Sequence, residues 1–245
     1  MKMRYKLLYD LHTHTTFSHG KGSIEDNVKV AIEKGLKAIA ITDHGPGHLT
    51  YGIKREAIPI MRKQIDLLSK KYPEIKIYLG VEANIIDNGN YLDVYSHEFR
   101  DFDIVLAGYH FGIKNGYTAS NWTFNHGIGR TGKRREALAN RNTEMIINAI
   151  EKNDIKILTH PGDKAPVNMD QIARACAVND VLMEINARHK HMNVAEIRIA
   201  SKEAVRFIIN SDAHVPDKVG TFEESVEQAL EAGLDMNRII NIRKV

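Results

Sequence analysis

Asp10-Leu11-His12-Thr13-His14 closes the apolar run that begins at Lys6, and the way it closes decides the fold. Residues 6–11 have the length and aliphatic content of a buried strand, and the run ends in metal-binding side chains. The same punctuation recurs along the chain. Residues 38–42 run into Asp43-His44-Gly45-Pro46, 76–81 into Glu82-Ala83-Asn84, and 104–108 into Tyr109-His110. Residues 155–159 run into His160-Pro161-Gly162, and 206–210 into Ser211-Asp212-Ala213-His214. A seventh run, 181–185, ends in Asn186-Ala187-Arg188 without a ligand.

Segments of helical period lie between most of these runs. Ser23 reads as an N-cap with Asp26 three residues on, feeding a helix that stops at Gly35. Further helices are expected over 54–71, 136–153, 169–178, 194–204 and 222–231, the last ending at Gly233. Pro59 belongs in or beside a first turn, because mid-helix it would cost about 3 kcal/mol. This alternation means parallel strands covered by helices, an α/β chain. No linker or repeat boundary divides residues 1–245, so a single domain is expected. Periodicity alone fits either a closed barrel or an open doubly wound sheet. Six of seven strands delivering His, Asp or Glu at the same C-terminal end favours a closed (β/α) barrel, similar to a TIM barrel, with its site at that rim.

Composition narrows the function class. The 34 Lys and Arg against 31 Asp and Glu give a net charge of +3, too balanced to announce nucleic acid or a membrane surface. Apolar runs of five or six residues cannot span a bilayer, and the basic start Met1–Lys6 lacks the apolar stretch of a signal peptide. One cysteine, Cys176, excludes an internal disulfide framework and suits a reducing cytoplasm. Nothing in the sequence sets an oligomeric state. The surplus is in histidine, with 12.

In extended backbone, residues two apart share a side. His12 and His14 therefore face the barrel mouth together, as do Asp212 and His214. Asp10 falls on the same side and either orients a ligand imidazole or bonds backbone as a buried strand-end carboxylate. Asp43 is a catalytic candidate, as a carboxylate behind a ligand or as a proton donor, unless it points away. The rim set is His12, His14, His19, His44, Glu82, His110, His160, Asp212 and His214, in which one of the carboxylates could bridge ions. Nine donors exceed the needs of one ion and suit two or three. Imidazole with few carboxylates points to Zn, Mn or Fe rather than Ca or Mg. The other histidines, His48, His97, His126, His189 and His191, have no such placement and are expected to be surface groups.

These motifs, in this order from Asp10 to His214, resemble the polymerase and histidinol phosphatase (PHP) superfamily, and its stand-alone phosphatases most. The resemblance implies the distorted seven-stranded barrel, a centre of three divalent ions and phosphoesterase activity. It implies one ion held by His12, His14, Glu82 and Asp212, a second sharing Glu82 with His110 and His160, and a third on His19, His44 and His214. Water bridging two such ions titrates at roughly 7 and supplies hydroxide to attack phosphorus. The expected substrate is a small phosphomonoester, with histidinol phosphate a candidate. Alternatives are a phosphodiesterase or exonuclease working on nucleic-acid ends, and an amidohydrolase-type C–N hydrolase. The latter typically carries a lysine at strand four, where Tyr109-His110 stands, and it leaves His19 and His44 without a role.

Substrate contacts are sought beside the ligands. Arg188 and Asn186, on the rim strand without a ligand, are free to meet phosphate, for which Arg is a bidentate partner. Lys164 follows the His160-Pro161-Gly162 turn, and Arg130 lies near a helix start suited to an anion. Residues 111–135 form a long segment after His110, read as a lid over the site or as an inert surface loop. Gly127-Ile128-Gly129-Arg130-Thr131-Gly132-Lys133 superficially matches a P-loop. No strand precedes it, and Arg134 stands where Ser or Thr is required.

Overall fold

The computed structural model describes residues 5–245 apart from 88, 115 and 190. Seven parallel strands form one sheet in chain order: β2 (Tyr9–Thr13), β3 (Ala38–Ile41), β4 (Lys76–Asn84), β5 (Ile104–Gly108), β6 (Ile157–Leu158), β7 (Leu182–Asn186) and β8 (Phe207–Asn210). A doubly wound sheet would reverse direction partway through this order. Here the order never reverses, and the first and last strands meet. At the top of that seam Thr13 bridges Ala213, with His14 N donating to Ala213 O at 2.8 Å.

Lower down, the C-terminal segment fills the seam. Ile240 N donates to Phe207 O and Leu8 N to Asn241 O. The Asn241 side chain joins the two strands, donating to Tyr9 O at 2.9 Å and accepting from Ile209 N at 3.0 Å. The expected strand over 6–11 is accordingly split. Tyr5–Leu7 (β1) pairs antiparallel with Ile242–Lys244 (β9), and Tyr9 starts the barrel strand.

Alternation along the strands builds two apolar layers. Leu106, Ile157 and Ile208 fill the barrel with Leu11 and Ile104, while Val105, Met183, Phe207 and Ile209 face outward under the helices. Those helices are α1 (Ile24–Glu33), α2 (Ile58–Lys71), α3 (Thr118–Asn125), α4 (Gly132–Lys152), α5 (Met169–Val178), α6 (Val194–Ala200) and α7 (Glu223–Ala232).

α1 has the expected capping box, with Asp26 N on Ser23 Oγ at 3.1 Å and Ser23 N on Asp26 Oδ2 at 2.9 Å. Pro59 sits in the first turn of α2, and a 3₁₀ turn over Arg55–Ala57 takes the place of the helix start expected at 54. The expected loop 111–135 contains α3, fastened to α4 by reciprocal amide bonds between Asn121 and Asn142 at 2.8 and 3.0 Å. α4 also begins before 136, and α6 stops before 204. Among the described residues no helix is long and apolar enough to cross a membrane.

Candidate metal centre

The β2 strand has a register shift between Asp10 and Thr13. This bulge moves Asp10 off the side that carries His12. Its carboxylate turns into the seam, accepting from Ser211 Oγ at 2.5 Å, Ser211 N at 3.2 Å and Gly220 N at 2.8 Å. Asp10 is the backbone-bonding carboxylate of the two expected possibilities. Burial pushes its pKa up, against those hydrogen bonds.

Glu82, fully buried at the end of β4, is the centre of the site. Its Oε1 lies 2.9 Å from His160 Nε2 and 3.4 Å from His110 Nε2, and accepts from Thr159 Oγ1 at 2.7 Å. Its Oε2 lies 3.0 Å from His44 Nδ1, 3.3 Å from His12 Nε2 and 3.6 Å from His14 Nε2. Burial raises the pKa of this carboxyl, but His12, His110 and His44 outweigh it and hold it well below the usual range. On the neighbouring strand β5, Gly108, opposite Asn84, has to be glycine. A Cβ there would run into Thr159 Oγ1 and stand 3.1 Å from Glu82 Oε1.

Asp212 supplies the second carboxylate, from a left-handed backbone position with φ 49°. Its Oδ1 lies 3.1 Å from His14 Nε2 and 3.3 Å from His214 Nδ1. Its Oδ2 faces the other way, 3.1 Å from His189 Nε2 and 3.6 Å from Arg188 Nη1. His19 completes the group, its ring 4.1 Å from His214 and 4.9 Å from His44. Burial, with His214 and His44 nearby, lowers the pKa of His19 to about 3, and burial takes His110 to about 3. Both are neutral imidazoles, the form that ligates metal.

The donor chemistry fits cations. His14 Nδ1, His110 Nδ1 and His160 Nδ1 are buried with no hydrogen-bond partner among the described residues, while His44 Nδ1, Glu82 Oε2 and Asp212 Oδ1 meet other rim groups only in ion-pair contact without a hydrogen bond. Each such orphan costs roughly 1–3 kcal/mol. His12 and His14 even face each other Nε2 to Nε2 at 3.1 Å. Among the described residues, four triads of donors lie close enough to hold an ion: His14-His44-His214, His12-His14-Asp212, His44-Glu82-His110 and His160-His189-Asp212.

The surroundings hold four carboxylates with distinct tasks. Glu184 is buried inside β7 and accepts from His12 Nδ1 at 2.8 Å, His160 N at 3.0 Å, Asn186 Nδ2 at 2.8 Å and Asn210 Nδ2 at 2.9 Å. Asp43 accepts from Thr15 N at 2.7 Å, Thr15 Oγ1 at 2.6 Å and Ser18 Oγ at 2.5 Å, and so anchors the loop between His14 and His19. Asp93 receives Gly47 N at 2.7 Å and Asn84 N at 2.8 Å, tying the turn after His44 to the end of β4. Asp163 Oδ2 stands 3.2 Å from His189 Nδ1.

Among the expected substrate contacts, Arg188 lies at the edge of the cluster, its side chain 46% exposed and Nη1 3.5 Å from His214 Nε2. Asn186 is buried and shapes that loop, its Oδ1 accepting from Arg188 N and His189 N at 2.8 and 2.9 Å. Lys164 Nζ pairs with Asp163 at 3.2 Å. The guanidinium of Arg130 caps the C-terminus of α3, bonding Phe124 O at 2.9 Å and Asn125 O at 2.5 Å.

Sequence reasoning missed Glu184, Asp93, Asp163 and two histidines read as surface groups. His48 is buried beside His44, and His189 lies against His160 with ring centroids 4.7 Å apart. The PHP domain profile matches residues 10–188, which is most of the chain. The chain belongs to the PHP domain family. A probable phosphatase of Shewanella piezotolerans is 30% identical over 251 aligned positions, covering 96% of this chain and 90% of that protein. One from Thermoanaerobacter sp. is also 30% identical, at 96% and 91% coverage. The fold matches histidinol phosphate phosphatase from Lactococcus lactis, solved with zinc, L-histidinol and phosphate. Its TM-score is 0.63 with 18% identity, covering 92% of this chain and 94% of that one. This PHP protein is a metal-dependent phosphatase by class. Its matched segment ends before Asp212 and His214, which the barrel nevertheless brings onto the same rim.

Proposed function

We propose that the chain hydrolyses a small phosphomonoester at a centre of three divalent ions, Zn, Mn or Fe. One observation carries this reading: seven histidines, Glu82 and Asp212 converge at one rim, with buried donor atoms that no protein group satisfies. His12, His14, Glu82 and Asp212 would hold one ion, and His110 and His160 with Glu82 a second. His19, His44 and His214 would hold the third. Ions bound there supply Lewis acidity toward a phosphoryl oxygen and bring water to a nucleophilic state at neutral pH.

The chain's own groups do the rest. Glu184 fixes which nitrogen His12 turns to the centre. Asp43 holds the loop that carries His14 and His19 in place, a positioning role rather than proton donation. Arg188 is positioned to grip phosphate, its charge partly offset by Asp212. Histidinol phosphate remains a candidate substrate, in keeping with the Lactococcus neighbour. A cytoplasmic setting suits the lone, buried Cys176.

The test is phosphate release from a panel of phosphomonoesters, histidinol phosphate included, with Mn or Zn added and a chelated control. Chelator-sensitive turnover of one compound is expected. No turnover by protein shown to carry its metals would transfer the reading to phosphodiesters and nucleic-acid ends.

A further inference from the structure

Tyr51 stands on the turn that leaves His44. That turn is pinned at several points. Ile53 N donates to His44 O at 2.9 Å, and Leu49 N to Gly112 O at 2.8 Å, in the segment after His110. His48 Nδ1 faces Thr50 N at 3.3 Å and Tyr51 N at 3.4 Å. The Tyr51 ring stacks on His48 with centroids 3.5 Å apart and planes 21° apart, and it packs 4.2 Å from His19 and 5.3 Å from His44. A half-buried ring clamped by three imidazoles has little rotamer freedom left to lose on binding.

The hydroxyl of this clamped ring has no hydrogen-bond partner among the described residues, and it is not among the buried orphans. The ring that carries it packs against His19 and His44, two of the rim histidines, so the free hydroxyl belongs to the wall of the cluster.

We propose that Tyr51 is a substrate-binding residue: its O–H donates to a phosphoryl oxygen of a phosphomonoester seated over the histidine cluster, while Arg188 engages another. This rests on the phosphomonoester reading proposed above. Nothing in the motifs marks Tyr51, because the turn residues 48–51 lie outside every ligand run.

The test is inorganic phosphate binding to the metal-reconstituted full chain by calorimetry, for wild type and Tyr51→Phe. Phenylalanine keeps the ring against His48 and His19 and removes only the oxygen. Loss of one hydrogen bond to a charged group predicts phosphate affinity about tenfold lower or weaker still. Metal content and melting temperature should match wild type, and KM should rise for any phosphomonoester that is turned over. Unchanged phosphate affinity overturns the proposal. So does loss of metal from Tyr51→Phe, which would make the tyrosine a support for His19. Failure of the metal-loaded wild type to bind phosphate would instead count against the proposed phosphomonoester site, and the role of Tyr51 with it.

Discussion

Glu184 Oε1 and His12 Nδ1 lie 2.8 Å apart, and through that contact a carboxylate on β7 orients an imidazole on β2. With Nδ1 committed, His12 presents Nε2 to Glu82 at 3.3 Å and Asp212 at 3.7 Å. Groups in this relation to a ligand histidine set its tautomer and basicity.

Glu184→Gln follows directly as a test. The carboxylate accepts from four donors, and an amide would turn its own N–H₂ toward at least one of them. Metal affinity should fall roughly 10- to 100-fold with the fold retained. Competition against a chromophoric chelator measures it. Wild-type affinity would remove Glu184 from any role in orienting His12.

Glu82 and Arg188 should separate by kinetics and metal content. Glu82→Gln withdraws the charge that five histidines face, so metal and activity should be lost together. Arg188→Ala should leave the metal count intact and lower kcat/KM roughly 10- to 100-fold, mainly through KM. Elemental analysis alongside steady-state kinetics distinguishes the two.

A single methyl group tests the packing around Glu82. The ideal Cβ of Gly108→Ala overlaps Thr159 Oγ1 and crowds Glu82 and His160. Overpacking of this kind costs about 1–3 kcal/mol. Its position predicts a disproportionate loss of metal binding relative to the fall in melting temperature. Alanine accepted there with normal metal content would refute the close fit.

The strand ends were legible because polar side chains punctuate apolar runs, and these runs bring their His, Glu and Asp side chains together at one rim. The carboxylates behind them were harder to read. Asp10 looked equivalent to His12 by two-residue alternation, and only the bulge separates them. Glu184 did leave a signal, a charge inside Val181-Leu182-Met183-Glu184-Ile185, which a buried strand tolerates only with partners. His189 left none, since its place depends on how Asn186 folds the following loop. β9 was invisible because it is only three residues, Ile242 and two exposed cations, and gains its order by pairing with β1.

The metal-free protein should be most stable near the ordinary histidine pKa, about 6.5. His19, His48 and His110 have folded values lowered by burial to about 3, 4 and 3. As pH falls below about 6.5 the unfolded chain takes up protons that these buried rings refuse, so stability drops on the acid side. His189 has the opposite sign. Burial opposes its protonation, but Asp163 and Asp212 raise its folded value to about 9. Its contribution is complete below the unfolded value and is lost as pH rises toward 9. Melting temperatures of chelator-treated protein from pH 5 to 9 should therefore trace a dome, and His189→Gln should flatten the alkaline limb alone. A stability that climbs steadily to pH 9 would contradict the Asp163–His189–Asp212 arrangement.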